Sequence, residues 1–353
     1  MRPAWTDRET AGTPGFGFAA TAVAAFAGGL LWQALNWPLP WVTGALVGTG
    51  ALAMAGFPVR CPPLLFSLAQ WLIGAAVGAR FAPSAATQLA AHAAAILAAA
   101  IGSLLLGLAL ACLLRRWARL DAATALLASL PGVSGEMVRL AHEHGARADH
   151  VAIVQSVRLS LVVLFVPPAF HVLQPGMASP LPALAMHGLP GQGWLLFAAL
   201  AGGVCLRHLI GGVGWFIGAL IGAAAATASG LPVAAPAAPL TDSAQLLLGW
   251  SLGSRFTRQS LSLLPRLLFV ASILNAAVIG CGAVLGMVLA HWSGLSPTSA
   301  ILGTIPGGVA EMCITAASLG EPVALVAAFH VMRVVVLLLL AGPMLQRTAK
   351  ARS

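Results

Sequence analysis

Polar residues are confined to short stretches between long apolar runs along nearly the whole chain. The runs fall at about 16–35, 39–57, 64–79, 87–114, 122–141, 150–172, 194–210, 212–230, 240–254, 266–290, 297–319 and 323–345. Many approach the roughly 20 residues that carry a helix through the hydrocarbon core of a bilayer. The pattern predicts an all-α polytopic membrane protein whose twelve apolar segments split six and six.

The two groups of six echo each other. Pro131-Gly132-Val133-Ser134-Gly135-Glu136-Met137 returns 175 residues later as Pro306-Gly307-Gly308-Val309-Ala310-Glu311-Met312. Trp41-Val42-Thr43-Gly44-Ala45-Leu46-Val47-Gly48 matches Trp215-Phe216-Ile217-Gly218-Ala219-Leu220-Ile221-Gly222. Gln70, Gly74, Gly78, Arg80 and Phe81 match Gln245, Gly249, Gly253, Arg255 and Phe256, and Pro168 matches Pro343. An offset of 174–175 throughout marks a duplication of nearly the whole chain. Glycines four apart share a helix face and suit close helix–helix contact.

The expected organisation is a cytoplasmic N-terminal tail at 1–13, a membrane repeat at 14–172, an extracytoplasmic linker at 173–193, a second repeat at 194–345 and a cytoplasmic tail at 346–353. Two topologies compete. Six crossings per repeat make the halves parallel; five crossings plus one segment that dips in and returns make them inverted. With the Pro-Gly segments 122–141 and 297–319 re-entrant and the N-terminus inside, Arg60, the Arg115/Arg116/Arg119 cluster, Arg139, Arg147, Arg207, Arg255, Arg258, Arg266, Arg347 and Lys350 all face the cytoplasm. Arg80 alone faces out. Twelve crossings would put Arg139, Arg147, Arg207, Arg255, Arg258 and Arg266 outside as well. The positive-inside rule prefers the inverted arrangement, in a bacterial inner membrane with both termini cytoplasmic.

Composition agrees: 59% of residues are hydrophobic and only 8% charged, against about 25% charged in soluble domains. The net charge of +9 sits at the ends of apolar runs, where it sets topology rather than binding nucleic acid. Five cysteines without a C-x-x-C pair read as small helix residues. The His142, Glu143, His144, Asp149 and His150 cluster reads as a solvated loop, since its spacing suits no helical metal site. No nucleotide-binding loop, nucleophile elbow or catalytic triad appears, so no enzyme, cofactor, metal or catalytic residue is expected.

Chemistry concentrates at the repeated motif. Pro131 and Pro306 interrupt a helix, and Gly132 and Gly307 permit a sharp turn. Backbone groups freed there must be satisfied by protein or by water, and their dipoles can hold ions. Glu136 and Glu311 are costly at membrane depth. Arg158 and Arg333 follow 22 residues after each glutamate, inside the next apolar run. Two readings stay open: structural Glu–Arg bridges pinning the broken segment, or a glutamate proton or cation site with an arginine facing an anionic substrate. Gln155 and His330 lie three residues before each arginine, on the same helix face. These ten residues form the candidate substrate and ion site, with Gln70 and Gln245 as weaker candidates.

The repeated P-G-x-x-[GA]-E-M, the Trp-x-x-Gly-Ala-Leu-[Val/Ile]-Gly run and the Gln-x3-Gly-x3-Gly-x-Arg-Phe pair resemble the bacterial AbrB membrane-duplication family. The resemblance covers nearly the whole chain. Members are labelled AbrB family transcriptional regulator or putative ammonia monooxygenase, and are unrelated to the small soluble DNA-binding protein called AbrB. It implies a role in regulating gene expression from the membrane and supplies no residue roles. The monooxygenase label would need a copper or iron site, and no converging histidine set appears. The expected function is a proton- or ion-coupled secondary transporter of a small, anionic solute. The alternative is a membrane sensor that acts on gene expression without translocation. The expected partners are the solute, a coupling ion and the bilayer, with self-association left open and no direct contact with nucleic acid.

Overall fold

The computed structural model describes residues 14–81, 85–131, 134–173, 189–230, 233–256 and 265–350. Among them there is no strand. In the first repeat the helices are α1 (Pro14–Ala34), α2 (Pro40–Met54), α3 (Pro63–Gly78), α4 (Ala85–Ala91), α5 (Ala93–Trp117), α6 (Ala122–Ser129), α7 (Ser134–Glu143) and α8 (Ala148–Leu173). In the second they are α9 (Leu189–Ile210), α10 (Gly214–Ala228), α11 (Ala238–Gly253), α12 (Pro265–Ser293), α13 (Pro297–Thr304), α14 (Val309–Ser318) and α15 (Val323–Lys350). Among the described residues, four helices are long and apolar enough to cross a membrane, at Gly17–Ala34, Ala93–Trp117, Ala148–Leu173 and Pro265–Ser293.

The boundaries follow from sequence chemistry. Proline begins α2, α3 and α13, where its missing N–H costs nothing. The Asp121 carboxylate accepts from Thr124 N at 3.2 Å to start α6, and the Ser296 hydroxyl accepts from Ser299 N at 3.1 Å to start α13. Gly320, at φ +70°, takes the left-handed turn that stops α14. Two expected boundaries move. The run at 87–114 is two helices, broken at His92, and α15 continues to Lys350, through much of the expected C-terminal tail. The tail at 1–13 and most of the linker lie outside the described residues.

The helices sort into two groups, each drawing on both repeats. In the first, α1 packs on α2, α9 on α10, α3 on α10 and α11 on α2. Glycines make these contacts backbone to backbone. A Cβ on Gly28 would strike the Gly44 carbonyl, and one on Gly202 the Gly218 carbonyl. Across the repeats, a Cβ on Gly74 would strike the Phe216 carbonyl, and one on Gly249 the Val42 carbonyl. The second group is built around α5, α8, α12 and α15, with the short pairs α6/α7 and α13/α14 packed among them. The fold therefore puts the broken segments in one body and most of the glycine seams in the other.

Candidate functional site

Each Pro-Gly motif separates two short helices. Leu130 and Ile305 leave the helical region for extended backbone, at ψ 131° and 133°. Gly107 of α5 and Gly282 of α12 give these breaks room. A Cβ on Gly107 would lie 3.0 Å from Pro131 Cδ, and one on Gly282 would lie 3.5 Å from Pro306 Cδ. Both segments fold back on themselves. The Arg147 backbone N–H, just past α7, donates to Thr124 Oγ1 at the start of α6 at 2.9 Å. Ser296 and Ser299, at the start of α13, donate their hydroxyls to Glu321 just past α14 at 2.7 and 2.5 Å. Each is thus a helical hairpin whose tip is the Pro-Gly break. Gly132 lies outside the described residues.

A break strips hydrogen bonds from the last carbonyls of the first short helix. The next long helix supplies donors. Gln155 Nε2 on α8 donates to Leu127 O at 2.8 Å, and His330 Nε2 on α15 donates to the equivalent Leu302 O at 3.0 Å. Arg158 reaches Ser129 O and Leu130 O, both at 3.3 Å. Arg333 reaches Ile305 O at 3.2 Å and Gly307 O at 2.8 Å. The arginines are 2% and 4% exposed. A guanidinium is well matched to a helix C-terminus, where carbonyl dipoles gather negative charge. The two are near enough for Arg333 to feel the charge of Arg158.

Of the two open readings, the Glu–Arg bridges do not form: the arginines are bonded to backbone carbonyls instead. Among the described residues neither arginine pairs with the glutamate of its own hairpin. Glu136 pairs with Arg139 on α7, which also pairs with Glu143, and the Glu136 side chain is 28% exposed. Glu311 is 9% exposed. Both glutamates hold the third position of the second short helix, where a carboxylate faces the positive amide end. The Glu311 carboxylate folds back over Gly308, where a Cβ would strike it. It borders a narrow cleft with Thr315 and the apolar Leu39, Val42, Val163, Pro167 and Ile314.

Sequence reasoning placed Arg255 only as a topology marker. In the structure it lies just past α11, with its guanidinium 5.8 Å from the centroid of the Phe66 ring, near enough to Glu311 for their charges to interact. The Trp250 indole donates to Arg60 O at 3.1 Å, bringing the Cys61 loop alongside. The signal for it was present: Arg80 and Arg255 close the same repeated Gln-Gly-Gly run. Gln70 and Gln245 sit on α3 and α11, Gln245 buried and Gln70 half-buried. Of the histidine-rich stretch, His142, Glu143, His144 and Asp149 are exposed, and His150 is buried.

The family described as "Transition state regulatory protein AbrB" matches this chain over residues 2–101 and 41–349. The chain belongs to that family. It is similar to the "Putative regulator AbrB" of Escherichia coli (strain K12), 28% identical over 329 residues, which are 89% of this chain and 91% of the relative. It is also similar to the "Uncharacterized protein YhjN" of Bacillus subtilis (strain 168), 25% identical over 342 residues, 90% of this chain and 89% of the relative. Matches of that length take in both repeats, so the AbrB likeness extends to both hairpins.

Proposed function

We propose that this protein is an ion- or proton-coupled secondary transporter of a small anionic solute, bound between the two hairpin tips. The observation that carries this reading is the pair of equivalent helical hairpins, each broken at Pro-Gly and each held by donors from the following long helix. Broken helices in both halves of a membrane protein bring backbone dipoles to a solute at mid-depth. Arg158 and Arg333 support an anionic solute: each keeps an Nε–H without a protein partner among the described residues, and their like charges lie close together.

The repeats are inverted in this reading, each with five crossings and one re-entrant hairpin, and both termini face the cytoplasm of an inner membrane. The hairpin bases then lie on opposite faces. A single cysteine at Arg147 in a cysteine-free background reacts with an impermeant reagent only from the cytoplasm, and one at Glu321 only from outside. Labelling of both from one face rejects the inversion.

A second reading is favoured by the name of the Escherichia coli relative, a putative regulator. Here the protein senses a solute and alters gene expression through a partner, without translocation. Liposomes separate the two. Solute uptake that is lost in Glu311→Gln supports transport; saturable binding with no uptake supports a sensor; neither, across a broad panel of small anions, rejects both.

A further inference from the structure

Polar bonds and close backbone approaches divide the molecule along one line. On one side α1, α2, α3, α9, α10 and α11 are joined at their glycine seams, and the Trp250 indole of α11 reaches back to Arg60 O at 3.1 Å. On the other side Arg266 of α12 donates to Trp117 O at the end of α5 at 2.9 Å, and Asn275 of α12 donates to Val154 O of α8 at 3.4 Å. Gly286 brings α12 close against Ile301 of α13, and both hairpins are clamped by α8 and α15. Each body is thus tied across the two repeats.

The bodies meet where α8, α14 and α15 face α2, α3 and α11. Between these helices, among the described residues, no hydrogen bond or ion pair crosses, and no glycine brings one backbone onto the other. Arg255 and Glu311 are near enough for their charges to interact across the division but are not bonded. The meeting surface is apolar: Val42 and Leu46 of α2 and Leu252 of α11 cluster with Leu159 and Val163 of α8. The narrow cleft beside Glu311 runs along it, with Leu39 and Val42 on one body and Val163 and Pro167 on the other.

We infer that the hairpin body shifts as one unit against the glycine-seamed body, by about one helical turn, roughly 5 Å. This rests on the transporter reading for its purpose, since the shift takes both hairpin tips with it, but the movement itself does not require transport.

Two arguments favour this motion over the opening of a hairpin. Lifting a hairpin from its body strips buried carbonyls of their bonds to Gln155 and Arg158, or to His330 and Arg333, and leaves a buried guanidinium unpaired, which is costly. Sliding the whole body breaks none of those bonds. The second argument is register. Leu159, Val163 and Pro167 stand four residues apart on α8, and Val42 and Leu46 four apart on α2, so each row forms a ridge that repeats every turn. A one-turn shift exchanges one apolar contact for another of similar size. The glycine seams lack this freedom, because each glycine meets a carbonyl that a Cβ would strike.

The test uses the full chain in liposomes, in a cysteine-free background, with spin labels at exposed positions. Met54 with Ser229 lies within the glycine-seamed body, and His142 with Trp292 within the hairpin body; Met54 with Trp292 and Ser229 with His142 span the two. Pulsed dipolar spectroscopy reads the distances without added anion and with acetate, succinate or inorganic phosphate. The expected result is one narrow distance for each pair within a body, and two distances about 5 Å apart for at least one spanning pair. A single narrow distance for both spanning pairs in every condition overturns the inference. A second distance for His142 with Trp292 also overturns it, because the hairpin then moves within its body. If the cysteine-free chain misfolds, spin-labelled non-natural residues at the same positions, with the native cysteines kept, give the same readout. Uptake assays stay separate. Two spanning distances without flux of any anion reject transport and leave the movement standing; flux with single, fixed spanning distances rejects the movement and leaves transport standing.

Discussion

The two hairpins hold their breaks the same way and use their glutamates differently. Gln155 and Arg158 clamp one set of freed carbonyls, and His330 and Arg333 clamp the equivalent set. Glu136 is drawn to Arg139 at the surface, whereas the positions equivalent to Arg139 and Glu143 in the second half are Ile314 and Ser318. Without those partners Glu311 stays buried on its helix start. The duplication has preserved what keeps a broken helix intact and let the side chains beside it diverge. In the transporter reading proposed above, only one of these unequal halves needs to carry the coupled charge.

The largest test of this equivalence is at the arginines. Arg333→Met removes both donors from buried carbonyls and is expected to cost about 3–5 kcal/mol in SDS titration of mixed micelles. Arg158→Met is expected to cost a similar amount, and a loss at only one of them breaks the idea of a shared clamp. Next are the seams between repeats. Gly249→Val and Gly74→Val each push a side chain into a neighbouring carbonyl and are expected to cost about 2–3 kcal/mol in the same titration. Exchanging the paired donors sharpens the comparison further. Gln155→His and His330→Gln each keep an Nε2 donor facing the same carbonyl, so each is expected to change stability by less than about 1 kcal/mol. Smallest is Glu136→Gln, expected to cost at most about 0.5 kcal/mol, because its ion pair is exposed. A larger loss there would mean that Glu136, like Glu311, belongs to a buried site.

Much of this architecture can be read from residues. Apolar runs, N-terminal prolines and the capping Asp121 and Ser296 locate helices, and the doubled Pro-Gly locates the breaks. The partners of Arg158 and Arg333 cannot be read the same way. A side-chain charge has a letter in the sequence, and a carbonyl freed by a break has none, so the glutamates looked like the available acceptors. Arg255 was hidden for a related reason. At the end of an apolar run an arginine reads as a topology signal, and only tertiary packing brings it near Glu311. The return of each hairpin to its own starting level likewise depends on contacts such as Arg147 with Thr124, which span 23 residues and follow no local period.

The crossed glycine seams have a consequence for how the chain is made. Gly74 and Gly78 of α3 rest on Phe216, Ala219, Leu220 and Ala223 of α10, residues translated long after α3 has left the ribosome. The bare backbone of α3 must therefore wait, without these partners, until the second half is made and packs beside it. A first repeat released on its own would be an unfinished fold, and in a cell it would be a natural target for membrane quality control.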